Sequence, residues 1–485
     1  MLSQTSVFTK LVRDYMGAAP LTALPGESVS EVLARMRAHN ADNVIVVDVR
    51  GQPTGIVTEH DVCQRITTDA AEHQQIADLM SAPVRTIAER EYLYHAIAEM
   101  FRHHMRHMPV VDETGGPVGI LHLHEALTVA AAQMTEQIEL LTHYETLAGM
   151  AQTKSAQIKV ATQLLDDSVP APAIQSLITH INNDLYRRIV DVCVKDMEQD
   201  GRGPPPVAFD VIVMGSGGRG ESYLYPDQDN GFILADYPDE AHAEVDPWFI
   251  ELATRMTDAL NEVGFPYCNG YVMATNPLWR KTISQWCGQI TQWVGRGAGM
   301  VLRLADIFFD FVPVWGAGDF TAELRNHVTA TARKAFFLRE MYKFDHEHEV
   351  ALGLFKRLLI DKQAGPNYGK LNLKLTGTLP LVGGVRIAAL ANGVAHTSTL
   401  RRIDALHAND VLSHDEQDYL RGAFRHITGL LLRQQLRDYN AGQPVGNHVA
   451  IEDMSQRERD MLIDGMHAIK IFRRRLRTEL TGDPF

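Results

Sequence analysis

Shifted by 64 residues, the N-terminal part of the chain falls on itself without a gap. Met16 lands on Met80, Val46-Val47-Asp48 on Val110-Val111-Asp112, Pro53 on Pro117, and Gly55-Ile56 on Gly119-Ile120. Each copy predicts the same elements: a helix, a buried strand from a continuous apolar run (VIVVD, MPVVD), a turn from a Gly/Pro cluster (RGQPTG, ETGGPVG), then a short strand leading into a helix. Ser28 and Glu31 predict a capping box at the first helix. A unit of this size that occurs twice implies two small lobes packed as a pseudo-twofold pair. From Leu121 to about Gln199 the pattern turns helical, with Ile174, Leu177, Ile178, Ile181, Leu185 and Ile189 on one stripe after Pro170 and Pro172. GRGPPP (201–206) makes a stiff boundary, and apolar strands are predicted at Val207–Met214, Gly231–Ala235 and Ile307–Val314. The remaining third is helical again. Capping boxes at Ser413/Glu416 and Ser455/Glu458 precede apolar stripes that include Leu420, Phe424, Ile427 and Leu431, then Leu462, Met466 and Ile469.

A length of 485 residues suggests about three domains at roughly 150 residues each. The expected division is a tandem pair at 1–130, a helical linker region at 131–203, a mixed α/β domain at 204–330 and a helical domain at 331–485. The fold class is therefore multidomain α/β and α. With 46 Lys plus Arg against 60 Asp plus Glu, the net charge is −14. That balance argues against coating DNA or an anionic membrane. Four cysteines without a CxxC pair point to a reduced compartment and to neither a disulfide framework nor a zinc-thiolate site. No apolar h-region opens the chain and no stretch reaches the 18 apolar residues a membrane span needs. A soluble, cytoplasmic protein is expected.

The chemistry concentrates after the first predicted strand of the α/β domain. That strand runs straight into Gly215-Ser216-Gly217-Gly218-Arg219-Gly220-Glu221, and Asp227-Gln228-Asp229 opens the next. Two readings compete. Gly215, Gly217 and Gly220 spell GxGxxG, with Asp236 at the end of the following strand, as in a dinucleotide fingerprint. A parallel crossover, however, needs a dozen or more residues, and only Glu221–Pro226 lie between, cut by Pro226. The other reading uses more of the residues. Asp227 and Asp229, two apart on extended chain, face one side and need a cation there, which suits Mg²⁺. The upstream Gly-Ser loop offers N–H groups and a hydroxyl to an anion. A phosphate cradle beside a metal-binding carboxylate pair fits phosphoryl or nucleotidyl transfer.

This arrangement resembles the polymerase-β-like nucleotidyltransferase superfamily. The resemblance asks for a third carboxylate on a later strand, here Asp310, with Asp306 in reserve. The blocks GSGGRGE…DQDNGFIL, GFPYCNGYVMATNPLWRKTISQW and ADIFFDFVPVWG look more closely like nucleotidyltransferases fused to CBS pairs, relatives of the protein-PII uridylyltransferases. Those relatives carry Arg where this chain has Val312. The repeat, over about residues 10 to 130, resembles a CBS-domain (Bateman) pair. Its nucleotide signature is intact as Gly55-Ile56-Val57-Thr58-Glu59-His60-Asp61, but the second copy has His122 and Glu125 at the Thr and Asp positions. One adenosine site, taking an AMP-, ADP- or ATP-type ligand through Gly55, Thr58 and Asp61, is therefore expected.

The resemblance implies NMP transfer from an NTP to a hydroxyl, plausibly of a regulatory protein, with release of pyrophosphate. Asp227, Asp229 and Asp310 would be catalytic and bind two Mg²⁺ ions. Gly215, Ser216, Arg219, Lys370 and Lys374 would hold the triphosphate, with Arg386 as a further basic position. The partners implied are an NTP, a protein acceptor and a second copy of the chain through the CBS pair, without nucleic acid or membrane. The alternative is a non-catalytic nucleotide-sensing signalling protein. The histidine-aspartate hydrolase domain of the uridylyltransferases has no counterpart, since His60-Asp61 falls in the CBS signature. His103, His104 and His107, the run Asp345–Glu349 and the Arg473–Arg477 stretch read as surface features rather than sites.

Overall fold

The repeat in the sequence is also a repeat in backbone pairing. A computed structural model describes residues 10–39, 41–58, 61–62, 74–103, 105–123, 126, 146–166, 168–296, 307–345, 349–353, 356–362 and 365–482. Two compact units result, Met1–Tyr144 and Glu145–Phe485.

In the first unit, β1 (Thr22–Ala23), α1 (Val29–Ala38), β2 (Asn43–Val47), β3 (Pro53–Thr58) and α2 (Ile76–Leu79) make one copy. The second is β4 (Ile87–Ala88), α3 (Leu93–Arg102), β5 (His107–Val111) and β6 (Pro117–His122). Both sheets run parallel then antiparallel, in the orders β1-β2-β3 and β4-β5-β6. The registers coincide under the 64-residue shift: Ala23 opposes Val46 as Ile87 opposes Val110, and Asn43 opposes Thr58 as His107 opposes His122. The steric details repeat as well. A Cβ on Gly55 would overlap Met80, and one on Gly119 would stand 2.7 Å from Met16 Sδ. The capping box expected at Ser28 does not form. Ser28 is the N-cap residue, but its hydroxyl lies 2.9 Å from that of Ser30 instead of capping the helix.

The second unit opens with two long helices, α4 (Leu147–Asp166) and α5 (Ala171–Gln199). Pro170 stands at the N-cap of α5, and the predicted stripe from Ile174 to Ile189 is buried throughout. A mixed sheet follows, ordered β10-β7-β8-β9, from β7 (Phe209–Val213), β8 (Asn230–Leu234), β9 (Arg280–Thr282) and β10 (Val312–Trp315). Its helices are α6 (Gly215–Arg219), α7 (His242–Val263), α8 (Ile283–Arg296) and α9 (Asp319–Thr331). β7 and β8 pair antiparallel, which excludes the βαβ crossover of a dinucleotide fold and removes the GxGxxG reading. The strand expected from Ile307 begins only at Val312, because residues 309 and 310 form a turn.

The C-terminal part comprises α10 (Ala335–Asp345), β11 (Lys370–Asn372), α11 (Leu379–Ala391), α12 (Thr399–Ala408), α13 (His414–Asn440), β12 (His448–Ala450) and α14 (Gln456–Thr481). The capping boxes at Ser413 and Ser455 form with both reciprocal bonds. Ile212 and Ile233 of the sheet share one apolar core with Leu431 and Phe472 of these helices. The solvated faces expected at Asp345 and Arg473 are a buried ion pair. Arg473 binds the Asp345 carboxylate and donates to the Pro380 carbonyl at 2.9 Å, and Gly383 leaves the room that Asp345 fills. No helix among the described residues is long and apolar enough to cross a membrane.

Candidate active site

The DQD segment enters β8 in extended chain, so alternate side chains point apart. Gln228 points inward, completely buried. Its amide donates to the carbonyls of Thr257 at 3.0 Å and Phe265 at 2.9 Å. Asp227 and Asp229 therefore point the other way. They line a narrow cleft with Asn182, Asn183 and Tyr186 from α5 and Gly217 from α6. The backbone N–H of Met214 donates to the Asp229 carbonyl at 2.9 Å, which holds the acid pair beside the Gly-Ser loop. Gly215 is required on two counts. Its φ is +59°, and a Cβ would stand 2.7 Å from Asp229 Oδ2. Gly218 is equally constrained, since a Cβ there would overlap the Asp310 carbonyl. Ser216 lies half-buried in the first turn of α6.

Burial pushes the Asp229 carboxyl up to about 6. The Cys268 thiol donates to it and lowers it, the Asp227 charge raises it, and Lys374 and Arg219 lower it. Burial and Asp229 in turn push Cys268 up to about 11. A carboxylate that burial and a like charge both disfavour is stabilised by a cation, and a donor set of two carboxylates suits Mg²⁺.

Asp310 sits in a different environment. Its carboxylate is completely buried and faces three guanidinium groups, Arg219 at 2.8 Å, Arg386 at 2.7 Å and Arg402 at 2.7 Å. Arg219 also holds Glu221 at 2.7 Å, and the other oxygen of Glu221 accepts from the Thr399 N–H at the start of α12 at 2.7 Å. Asp310 and Glu221 thus join the sheet domain to α11 and α12. The geometry departs here from the sequence expectation. Asp310 serves as the anion of a buried cluster, and Arg219 and Arg386, expected at a triphosphate, are committed to it. Of the expected lysines, Lys374 is near enough to lower Asp229, while Lys370 lies on β11, hydrogen-bonded to β12. Val312, where an Arg was expected, pairs with Val213. Arg325 from α9 instead donates to the carbonyls of Phe309 at 2.9 Å and Phe311 at 2.6 Å. Asp306, the reserve acid, lies outside the described residues, as do His60, His104, Glu125 and the centre of the Asp345–Glu349 run.

Sequence reasoning missed Lys154. Fully buried on α4, it donates to Gln157 at 3.2 Å, Asn182 at 2.9 Å and the Leu224 carbonyl at 3.1 Å, above the Phe265 ring. It thereby ties α4 to the wall of the acid cleft. Nothing in the local sequence marks it, because its one near partner is an uncharged amide, Gln157, and the other two are 28 and 70 residues away. Burial lowers its ammonium to about 7. The unfolded chain, with an ordinary lysine near 10.4, binds more protons between these values, so folding stability rises with pH across that window. The stability of wild type relative to Lys154→Met should increase by a few kcal/mol from about pH 7 to pH 10 in denaturant titrations. A difference that does not change with pH would contradict the buried-ammonium account.

In the first unit, Asp61 Oδ2 accepts from both the Thr58 N–H (2.9 Å) and the Thr58 hydroxyl (2.7 Å), and Ser81 donates to Oδ1 at 3.1 Å. Both residues open onto a cleft of about 780 Å³ that Asp42, Arg85, His103 and His107 also line. Gly55 lies on β3 just before it.

Residues 155–299 match the family model described as "Putative nucleotidyltransferase DUF294", and residues 335–480 the one described as "Putative nucleotidyltransferase substrate binding domain". Residues 12–68 and 76–132 each match the CBS domain. Among curated proteins, an uncharacterized protein of Methanopyrus kandleri is 30% identical over 111 residues, covering 22% of this chain and 57% of that protein. L-aspartate semialdehyde sulfurtransferase of Methanocaldococcus jannaschii is 30% identical over 111 residues, 23% of this chain and 21% of that enzyme. The chain thus spans little more than half of the first relative and about a fifth of the second. Similar solved structures include the CBS domain pair of protein MJ0100 with 5-methylthioadenosine and S-adenosyl-L-methionine (28% identity, TM-score 0.23, 25% of this chain, 94% of that one). Another is CBSX2 in complex with AMP (20% identity, TM-score 0.22, 25% of this chain, 96% of that one).

Proposed function

We propose that this chain, in which a CBS pair precedes regions matching a DUF294 nucleotidyltransferase and its substrate binding domain, transfers NMP from an NTP to a hydroxyl group. The observation that carries the reading is the acid pair Asp227/Asp229, one member raised by burial to about 6, held against the Gly215-Ser216 loop. When bound, Mg²⁺ on Asp227 and Asp229 would neutralise charge developing on the transferred α-phosphate. Gly217 lines the same cleft, and the Gly215-Ser216 turn before it would orient the β- and γ-phosphates. Lys374 would add positive charge from the substrate-binding domain. Asn182 and Asn183 offer amides to the acceptor side. Asp310 keeps a supporting role in this reading: it fixes the loop that carries Gly218 to α11 and α12.

If the sequence blocks' resemblance to protein-PII uridylyltransferases extends to the substrate, the acceptor would be a protein hydroxyl. The CBS pair would bind one adenine nucleotide through Thr58 and Asp61 and adjust transfer, and the pair offers a surface for a second copy of the chain. A second reading, a non-catalytic nucleotide sensor, is favoured by Val312 and by the engagement of the Asp310 carboxylate with three guanidinium groups.

Incubating the purified chain with each α-labelled NTP, Mg²⁺ and a cell lysate should label one macromolecular species, with one NTP preferred. Absence of any Mg²⁺-dependent label would favour the sensor. For the CBS pair, calorimetry should give about one adenine nucleotide per chain. Asp61→Ala should lose it, because that substitution frees the Thr58 hydroxyl from its partner. Retained binding in Asp61→Ala would remove this site from the account.

A further inference from the structure

We propose that Asp42, His107 and His122 form a binding site for a divalent transition-metal ion of the zinc class, beside the nucleotide cleft of the CBS pair. His107 and His122 face each other directly across the antiparallel β5–β6 ladder, their rings 5.0 Å apart. Asp42, in the turn before β2 of the other copy, points its Oδ2 at both rings. It stands 3.5 Å from His107 Nε2 and 4.0 Å from His122 Nδ1, and all three donor atoms fall within 4.8 Å of one another. Two ligands of a tetrahedral ion with bonds of about 2.0–2.1 Å stand roughly 3.4 Å apart. The three side chains therefore need only small rotations to close on an ion.

Two further observations point the same way. Asn43 donates to Asp42 Oδ1 at 2.6 Å, which orients the carboxylate and leaves Oδ2 toward the imidazoles. The triad also occupies the places where the second copy departs from the first. Under the 64-residue shift His107 replaces Asn43 and His122 replaces Thr58, the residue whose hydroxyl engages Asp61 in the first copy. The pseudo-twofold mate of the ribose-binding corner is thus rebuilt with imidazoles, and the first copy supplies the carboxylate. Two imidazoles and one carboxylate select Zn²⁺, Co²⁺ or Ni²⁺ over Mg²⁺. Because Asp42 and His107 also line the 780 Å³ cleft, the fourth position opens toward it, free for water or for a phosphate oxygen of a bound nucleotide. The proposal is independent of the nucleotidyl-transfer reading.

Co²⁺ titrated into the metal-stripped full chain is the direct probe. Wild type should bind one ion with the visible absorption of a four-coordinate centre. His122→Asn and Asp42→Asn should each weaken binding by more than about 100-fold, the upper end of what loss of an outer-shell partner costs. His103→Ala, in the same cleft but paired with Glu99 at 3.5 Å, should bind as wild type. Zn²⁺ should raise the melting temperature of wild type and not of His122→Asn. Unchanged Co²⁺ affinity in His122→Asn, or loss of binding in His103→Ala, would overturn the assignment.

Discussion

Asp227→Asn combined with Asp229→Asn should lower nucleotidyl transfer by about 10³-fold or more and leave a chain that melts at or above the wild-type temperature in metal-free buffer. Two consequences of one geometry combine here. The proposed metal contribution to the transition state is several kcal/mol, and each 1.36 kcal/mol is a tenfold change in rate. In the folded, metal-free protein, however, burial and Asp227 raise Asp229, so its charge opposes folding near neutral pH. The carboxamide removes that charge with little change in volume. Added Mg²⁺ should then stabilise wild type and not the double variant. A double variant that transfers at the wild-type rate would remove the acid pair from the chemistry. One that unfolds would make the pair structural.

Asp310→Asn should have the opposite stability sign. Its carboxylate compensates Arg219, Arg386 and Arg402, all nearly inaccessible. Removing one partner of a buried ion pair leaves uncompensated charge and costs about 3–5 kcal/mol. Against a typical total of roughly 5–15 kcal/mol, that is a large fraction. The melting temperature of Asp310→Asn should therefore fall by several degrees or more, with or without Mg²⁺. If Asp310 were instead a metal ligand, Asp310→Asn would behave like Asp229→Asn, with stability kept in metal-free buffer and the Mg²⁺ response lost. Calorimetric melts of the two single variants, each with and without Mg²⁺, separate these outcomes.

The features legible in the sequence are those with a local period or spacing. The 64-residue repeat, the stripe from Ile174 to Ile189 and the capping boxes at Ser413 and Ser455 each bring their partners within a few turns or one shift. The alternation at Asp227, Gln228 and Asp229 is likewise local, and the buried Gln228 amide between the two acids is its direct result. What escaped depends on contacts far apart in the chain. Arg219, Asp310, Arg386 and Arg402 span 183 residues from the first to the last, so a lone acid amid apolar neighbours reads as a metal ligand until its guanidinium partners are seen. Arg473 and Asp345 were misread for the same reason, at a separation of 128 residues. Lys154 was hidden because its partners are amides and a carbonyl, with no opposite charge to mark it. Ser28 had the right capping spacing, yet its hydroxyl lies against that of Ser30, a competing local contact that the pattern does not weigh.

The central claim is that an NMP unit leaves an NTP through the Asp227/Asp229 cleft, and the fate of the individual phosphates tests it most directly. The same NTP should be supplied labelled either at the α- or at the γ-phosphate, with Mg²⁺ and the acceptor-containing lysate, and both macromolecule-bound label and free pyrophosphate should be followed. The account predicts that α-label becomes bound, that γ-label appears only in pyrophosphate in equal amount, and that both signals vanish in Asp227→Asn/Asp229→Asn. Bound γ-label, or nucleotide that binds without releasing pyrophosphate, would contradict it.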